Sequence, residues 1–322
     1  MTVRMGVIGT GFGARVVAPV FDRTPGCEVV EVVSARDDAG VANLCDRQDV
    51  DLVSVHSPPF LHAAHVRRGL VSGHAVLCDK PFGIDALEAE TLVAAAEAAD
   101  CLHLLNFEFR YDPMRERVRD LVADGAVGDP EHVTWTHLSA GSVVPPRRHG
   151  WLFERASGGG WIGAWGSHAV DMLRWTFGEV ADAHGLTRTI VTERRDANGV
   201  VQTCDAEDAF SAWLRTESGT TIAIDSSFAA RANVAPRFVV CGTEGVLECV
   251  ADARIVVRRE GEAPEEHERP ATEGDPHLVP MQRWAEVVRD AVEDGFAPPG
   301  VPTFTDGLAC ARVLDAIGRR AT

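Results

Sequence analysis

The amino-terminal segment, residues 3–17, constrains the fold of this 322-residue chain more than any other feature. It reads VRMGVIGTGFGARVV, which is a short apolar strand, a glycine-rich turn and the start of an apolar-periodic helix. This order predicts a Rossmann-type dinucleotide-binding unit, because glycines permit the tight turn and the helix start offers N–H groups to a pyrophosphate. Ala14, with Gly13 beside it, is expected to keep the helix close to the strand. A glycine-rich turn without a ligand is the simpler alternative. The predicted contacts are Gly9, Thr10, Gly11, Phe12, Gly13 and Ala14.

The second strand, expected over residues 27–36, ends where such units bind the ribose of the cofactor. Ser34, Ala35 and Arg36 stand there, followed by Asp37. A hydroxyl and a guanidinium suit a 2′-phosphate, whereas a carboxylate suits free ribose hydroxyls. The segment therefore favours NADP(H), and Asp37 keeps NAD(H) open.

The connection after this strand is short. The chain reaches the next apolar strand near Asp51, and one βαβ unit takes about 30 residues. The sequence therefore predicts a parallel sheet that lacks one edge strand.

Lys80 is the one lysine among 31 basic Lys and Arg residues. It follows the apolar strand AVLC, and open α/β sheets bind ligands at the carboxyl ends of their strands. A compact ammonium cannot be replaced by a planar guanidinium, so this position is predicted to be functional; a leftover surface lysine is the alternative. Because cis X–Pro bonds concentrate in tight turns, we also predict a cis Lys80–Pro81 bond.

The chain after residue 130 changes pattern to strand-like segments joined by short turns, which indicates an antiparallel sheet domain. The acidic stretch 259–275 is expected to be a solvated loop, and two helices end the chain. We predict a dinucleotide-binding domain over residues 1–118 and a substrate-binding and oligomerisation domain over 119–322, with the final helix free to pack on the first domain.

Bulk composition excludes several classes of protein. The formal net charge of −17 argues against binding to a nucleic-acid backbone. The eight cysteines form no CxxC pair, so free thiols in a reducing cytoplasm are expected. The chain shows no secretory pattern and no run of about 18 apolar residues, which predicts a cytoplasmic protein without a membrane span.

Several motifs together resemble one known family along nearly the whole chain, that of glucose–fructose oxidoreductase, inositol dehydrogenase and MocA. They include GVIGTGFGA, HAVLCDKP, NFEFRYDP and GGGWIGAWGSHAVDMLRW. The resemblance implies a Rossmann-type domain followed by an open antiparallel sheet with helices, the sheet forming homo-dimer or homo-tetramer contacts. It also implies NAD(P)(H)-dependent hydride transfer at a secondary hydroxyl or carbonyl of a sugar, cyclitol or related polyol.

Residue roles follow from the matching motifs. Lys80 matches the family's catalytic lysine, with Asp79 in place of the usual glutamate, and His168 matches its proton-transfer histidine. A histidine near neutrality can take the hydroxyl proton, and an ammonium can stabilise the resulting alkoxide character. No metal is implied. The other implied cofactor contacts are Ser57, Pro58, Pro59, His62, Asp79, Lys80 and Asn106. The implied substrate contacts are Lys80, Arg110, Trp151, Trp165, His168 and Asp171.

Three further expectations concern the position of His62 and His65, the residue four positions before His168, and the alternative functions. His62 and His65 are spaced like a ligand pair, but without Cys or carboxylate partners they are expected on the surface. Ala164 occupies the position, four residues before His168, where many family members carry an aspartate. A non-catalytic dinucleotide or sugar sensor therefore stays open, as does a lyase, hydrolase or epimerase that uses the cofactor transiently.

Overall fold

The computed structural model describes residues 2–269 and 275–319, which form two compact units. The first unit contains residues up to Tyr111, a short segment Ala156–Gly158, and Asp275–Arg312. The second contains the other described residues from Asp112 onward. The domain border after residue 118 stays a prediction.

The described residues contain eight α-helices, and two of them directly follow a wider π-helical turn. These turns are Gly13–Val17, before the first helix, and Ile162–Gly166, before the sixth. None of the helices in the described part of the chain is long and apolar enough to cross a bilayer. The α-helices are α1 (Ala18–Arg23), α2 (Asp38–Cys45), α3 (Pro59–Val71), α4 (Ala86–Ala99), α5 (Pro113–Ala123), α6 (Ser167–Phe177), α7 (Leu278–Asp294) and α8 (Phe304–Leu314).

The sheet of the first unit is parallel and has five strands in the order β2-β1-β3-β4-β5. Its central strands are buried on both faces, whereas β2 is partly exposed, as an edge strand is. Only one helix, α2, connects β2 to the sheet interior, so the missing edge strand is confirmed. The strands are β1 (Val3–Ile8), β2 (Cys27–Val33), β3 (Leu52–Val55), β4 (Ala75–Cys78) and β5 (His103–Leu105).

Helix α7 completes the core of this first unit although it lies far along the chain. Trp284 and Met281 are fully buried, and they belong to one apolar cluster with Met5, Val7 and Phe21. Side chains from both ends of the sequence therefore fill one core.

The second unit contains an eight-stranded sheet in the order β15-β14-β13-β12-β6-β11-β10-β7, and a separate hairpin of β8 and β9. The predicted open antiparallel sheet is confirmed, and it contains one parallel pair, β6 and β11. A parallel pair needs a long crossover, and the chain between these strands supplies one. The strands are β6 (Pro130–Leu138), β7 (Val180–Arg188), β8 (Glu193–Arg195), β9 (Val201–Thr203), β10 (Ala209–Thr216), β11 (Thr221–Ser227), β12 (Arg237–Gly242), β13 (Val246–Val250), β14 (Arg254–Arg258) and β15 (Glu265–Glu268).

The acidic stretch expected to be a loop contains the edge strand β15, so that prediction is wrong for these residues. Arg254 on β14 forms ion pairs with Glu266 at 2.9 Å and Glu268 at 3.0 Å, which offsets the repulsion among the glutamates. Residues 270–274 of the expected loop lie outside the described residues.

Candidate functional site

The glycine turn after β1 has the geometry of a phosphate cradle. Gly9 adopts φ +134°, and a Cβ there would collide with the backbone carbonyl of His56. A Cβ on Gly11 would meet no atom of a described residue within 4 Å, so the backbone is open on that side. A Cβ on Gly13 would lie 2.9 Å from the Cβ of His56 and 3.0 Å from Val7. Gly13 therefore allows the close helix–strand packing expected of Ala14, which is half-buried.

Two other residues of this turn have different surroundings. Thr10 is exposed, whereas the ring of Phe12 packs edge-on against His277 with 5.1 Å between centroids. His277 in turn lies 2.6 Å from a carboxylate oxygen of Glu108. Phe12 thus contributes to packing, and its contact with a cofactor stays a prediction.

The end of β2 places Arg36 and Asp37 in different roles. Asp37 is the N-cap of α2, where its carboxylate accepts the Gly40 N–H at 3.0 Å. Arg36 is exposed, and its guanidinium forms no ion pair with a described residue. Ser34 accepts the backbone N–H of Arg36 at 3.3 Å, and Ala35 is buried. The Arg36 guanidinium is therefore available to an anionic ligand, whereas one oxygen of the Asp37 carboxylate, which would suit free ribose hydroxyls, is already bonded to Gly40.

Asp79 is the centre of a polar cluster at the carboxyl end of β4. One of its carboxylate oxygens accepts the backbone N–H of Lys80 at 2.9 Å and the side-chain amide of Asn106 at 3.2 Å. The other lies 3.3 Å from His56, whose second ring nitrogen is 2.7 Å from Ser54. Burial alone would raise the pKa of Asp79, but the neighbouring His56 ring, 3.3 Å away, and the Lys80 ammonium hold that pKa well below its usual range.

His56 is a residue of this cluster that the sequence analysis missed. It stands directly after β3, at the same edge of the sheet as Lys80. The position itself was the available signal, because polar residues after parallel strands gather at one sheet edge.

Lys80 is half-buried two residues past the end of β4, and the Lys80–Pro81 bond is cis as predicted. The nearby Asn106 is fully buried, and its side-chain oxygen has no hydrogen-bond partner among the described residues. An orphaned buried acceptor is rare in a folded protein and indicates a missing partner. Together with the open backbone at Gly11, this acceptor fits a dinucleotide cofactor, whose amide or hydroxyl groups would donate to Asn106 and whose phosphates would accept from backbone N–H groups.

The prediction that His62 and His65 are surface residues is wrong, because both are at least 95 % buried. The His62 ring lies between the carbonyl oxygens of Ser57, at 2.8 Å, and Pro81, at 3.2 Å. His65 reaches the Ser57 hydroxyl at 3.0 Å. The His62 ring thus joins the loop before α3 to the loop after β4, and its contact with a cofactor stays a prediction. Pro58 and Pro59 belong to that first loop and to the start of α3.

Burial makes His62 a source of acid sensitivity. Burial lowers the pKa of His62 to about 4, below its ordinary value near 6.5. Between those values the unfolded chain binds more protons than the folded one, so the free energy of unfolding falls as the pH falls. When the pH falls from 7 to 5, the free energy of unfolding should therefore drop by about 2 kcal/mol more in the wild type than in His62→Gln. Urea unfolding at both pH values measures this difference.

The matched control for that comparison is Arg67→Gln, which removes an exposed side chain of the same helix that does not titrate between pH 5 and pH 7. Its pH dependence should follow that of the wild type. If the free energy of unfolding falls by the same amount with pH in His62→Gln and in the wild type, the His62 ring is not buried in its neutral form.

Arg110 does not have the environment expected of a substrate contact. Its guanidinium is 5 % exposed and donates to Asp306 at 2.8 Å and to the Gly300 carbonyl at 3.1 Å. Both partners belong to the segment around the start of α8, in the same unit. The fork is occupied by this buried ion pair, which makes Arg110 a structural tie.

His168 is the second residue of α6 and is 4 % exposed. The helix begins after the π-helical turn Ile162–Gly166, and such turns are frequent at functional sites. Glu207 anchors the start of this turn, since its carboxylate accepts the Ile162 N–H at 3.0 Å. Asp171 lies about one helical turn beyond His168 and is 2 % exposed, as a supporting residue would be.

Trp165 is part of an aromatic core rather than an exposed binding surface. It is 8 % exposed and packs edge-on against Trp135 at 5.3 Å and His137 at 4.7 Å. Trp165 therefore belongs to a cluster of aromatic rings, and its contact with substrate stays a prediction. Trp151 is exposed in a short 3₁₀ turn, and its contact with substrate stays a prediction.

Family models match both halves of the chain. A model described as an oxidoreductase family with an NAD-binding Rossmann fold matches residues 3–107, and one described as the GFO/IDH/MocA C-terminal domain matches residues 116–248. The chain belongs to the GFO/IDH/MocA oxidoreductase family. Its Rossmann-type first unit and its mixed, mainly antiparallel second sheet agree with the fold predicted from the sequence.

Individual family members differ in how much of their length is matched. An inositol 2-dehydrogenase of Rhizobium meliloti is 26 % identical over 99 % of this chain and 97 % of its own. An uncharacterized oxidoreductase of Synechocystis is 29 % identical, over 63 % of this chain and 59 % of that protein. A solved levoglucosan dehydrogenase in complex with NADH and levoglucosan has a TM-score of 0.85 at 19 % identity, covering 98 % and 96 % of the two chains, which shows a shared fold.

Proposed function

We propose that this GFO/IDH/MocA family member is an NAD(P)(H)-dependent oxidoreductase acting on a secondary hydroxyl or carbonyl of a sugar, cyclitol or related polyol. Relatives named inositol 2-dehydrogenase, levoglucosan dehydrogenase and D-apiose dehydrogenase support this substrate class. The observation that carries the proposal is the polar cluster around Asp79, which fixes the backbone of Lys80 at the ligand-binding edge of the sheet.

The residues have separate proposed tasks. A bound nicotinamide dinucleotide supplies the hydride acceptor or donor. His168 removes the hydroxyl proton during oxidation and returns it during reduction, as a base with a reference pKa of about 6.5 can do near neutrality. The Lys80 ammonium stabilises the substrate oxygen as it gains negative charge. Gly11 leaves its backbone open to the pyrophosphate at the start of the helix, while Gly9 and Gly13 allow the turn to pack closely against His56.

The direct test is a turnover assay. Purified full-length protein is mixed with NADP⁺ or NAD⁺ and a panel containing myo-inositol, levoglucosan, apiose and common aldoses, and absorbance of the reduced cofactor is followed. Net cofactor reduction supports the proposal. Substrate conversion without net redox change would favour a lyase, hydrolase or epimerase, and binding without conversion would favour a sensor.

Arg36 is proposed to favour NADP(H) over NAD(H) by pairing with the 2′-phosphate. Its guanidinium is exposed and unpaired among described residues, whereas Asp37 caps α2. We expect Arg36→Ala to weaken NADP(H) binding by about 1.5–3 kcal/mol, the range for a hydrogen bond to a charged group, and to leave NAD(H) binding nearly unchanged. Fluorescence titration of both reduced cofactors measures the effect.

Arg23→Ala is the matched control for this experiment, since it removes another exposed arginine of the same unit. Its affinity for both cofactors should equal that of the wild type. Equal losses for NADP(H) and NAD(H) in Arg36→Ala would contradict a role in cofactor choice.

Oligomer formation through the second sheet is part of the same proposal, as a homo-dimer or homo-tetramer. One face of the sheet exposes Leu186 and Trp213, which are 79 % and 48 % accessible, around an apolar concavity of about 670 Å³. Apolar surface of this kind marks protein contacts.

A cytoplasmic location is likewise proposed, and the eight cysteines are free thiols in the structure.

A further inference from the structure

A second cavity, of about 490 Å³, lies wholly within the second unit, and its wall is dominated by arginine. It is formed by the loop after β6, the hairpin strand β8 and the loop after β11. The charged residues that line it are Arg147, Arg148, Glu193, Arg194, Arg195 and Arg231. Five guanidinium groups and one carboxylate give this wall a formal charge of +4, in a chain whose net charge is −17.

None of these five arginines forms an ion pair with a carboxylate of a described residue. Elsewhere most arginines are paired, such as Arg4 with Glu28 and Asp49, and Arg254 with Glu266 and Glu268. An acidic protein has many carboxylates available for pairing. The cavity therefore collects cations whose counter-charge is not supplied by the described part of the chain.

Arg194 is the buried centre of this wall, with 6 % exposure. Its terminal nitrogens donate to the backbone carbonyl of Ser142 at 2.6 Å and to the Ser142 hydroxyl at 3.0 Å. Its Nε is buried and has no hydrogen-bond partner among the described residues. Burial lowers the pKa of Arg194, although the nearby Cys204 and Asp208 act in the opposite direction.

The other arginines combine anchoring with availability. Arg147 donates to the Gly141 carbonyl at 2.8 Å and lies 5.0 Å above the ring of Phe228, which restricts its side chain. Arg195 donates to the Gly199 carbonyl at 2.7 Å. Arg148 and Arg231 are exposed, and their guanidinium groups make no hydrogen bond to described residues. One cavity is thus lined both by guanidinium groups held in place by backbone carbonyls and by guanidinium groups free to bond a ligand, which is a suitable arrangement for binding an oxyanion.

We propose that this cavity, lined by Arg147, Arg148, Arg194, Arg195 and Arg231, binds the phosphate group of a small molecule. Planar guanidinium forks match the oxygens of phosphate, and an excess of four positive charges suits a dianion better than a single carboxylate. A cavity of about 490 Å³ falls within the 300–1,000 Å³ of small-molecule sites. The chain's overall negative charge disfavours a nucleic acid as the occupant.

The first experiment titrates the full-length protein with sodium pyrophosphate by calorimetry at low ionic strength. We expect Arg148→Gln/Arg231→Gln to bind pyrophosphate at least about tenfold more weakly than the wild type, since two charge-assisted contacts are removed. The control Arg23→Gln/Arg67→Gln removes two exposed arginines of the first unit, with the same change in net charge, and should bind like the wild type.

Glu193→Gln tests the same site in the opposite direction. It removes the carboxylate from the cavity wall, so pyrophosphate should bind more tightly. Equal pyrophosphate affinity in the wild type and the Arg148→Gln/Arg231→Gln variant would overturn the proposal, because the anion would then bind elsewhere, for example at the glycine turn after β1. No measurable binding to the wild type would overturn it as well.

A second set of titrations separates the sources of the phosphate group. Glucose 6-phosphate and inorganic phosphate are each titrated, with glucose as the uncharged reference. Tighter binding of glucose 6-phosphate indicates a phosphorylated small molecule as the ligand, and tighter binding of the free ion indicates inorganic phosphate. In either case the affinity must be lower in Arg148→Gln/Arg231→Gln than in the wild type. These titrations need neither a nicotinamide cofactor nor turnover, so their failure is distinct from failure of the proposed oxidoreductase activity.

Discussion

Replacing Lys80 by arginine should abolish most turnover even though the positive charge is kept. The Asp79 carboxylate accepts the backbone N–H of Lys80 at 2.9 Å, so the lysine side chain starts from a defined point at the end of β4. A guanidinium is larger and planar and cannot occupy the position of a compact ammonium beside the substrate oxygen. Losing one preorganised donor to a developing oxyanion costs about 2.7–4 kcal/mol, or roughly 100- to 1,000-fold in turnover.

The matched comparison is Lys80→Met, which removes the charge but keeps an unbranched side chain. We expect Lys80→Arg to be impaired almost as strongly as Lys80→Met in kcat. The dissociation constant for the dinucleotide should change far less in both variants, because the glycine turn and the helix start hold the pyrophosphate. Near-normal turnover of Lys80→Arg would show that the lone lysine has no specific chemical role.

Replacing Arg110 by methionine should destabilise the folded chain by about 3–5 kcal/mol, the cost of removing one partner from a buried ion pair. Asp306 keeps only 25 % of its side chain exposed, and the Gly300 carbonyl would lose its donor as well. Methionine retains much of the volume of the arginine stem, so the loss reports on the missing charge and hydrogen bonds. Urea unfolding at neutral pH measures the effect.

Arg312→Met provides the control, because its ion pair with Glu90 is 60 % exposed on both sides. Exposed pairs contribute about 0–1 kcal/mol, so this variant should unfold almost like the wild type. Normal stability of Arg110→Met combined with a raised KM would contradict the structural role and restore the expected substrate contact.

The fold was largely predictable because its signals are local. The strand, glycines and helix at residues 3–23 stand in the order that defines the unit, and the short connection after Arg36 predicted the missing edge strand. The parallel pairing of β6 with β11 depends on a crossover of many residues, which no local pattern records. Strand β15 was missed because its glutamates are compensated by an arginine on a neighbouring strand.

The site was less predictable, because a residue type does not reveal its neighbours. Lys80 follows a buried strand, and this position identified it without further information. Arg110 and His62 belong to motifs that suggested ligand contact, yet their polar atoms are engaged by Asp306 and by backbone carbonyls. These partners lie far away in sequence or depend on how a loop turns, so only the folded structure assigns them.

The late position of helix α7 has a consequence for synthesis of the chain. The cluster around Met5, Val7 and Phe21 is closed by Met281 and Trp284, which are translated after every described strand of the second sheet. Domains usually fold in order of translation, but here the amino-terminal sheet has an open apolar side until α7 has been translated. We therefore expect the first unit to complete its apolar core only after the second sheet has been translated.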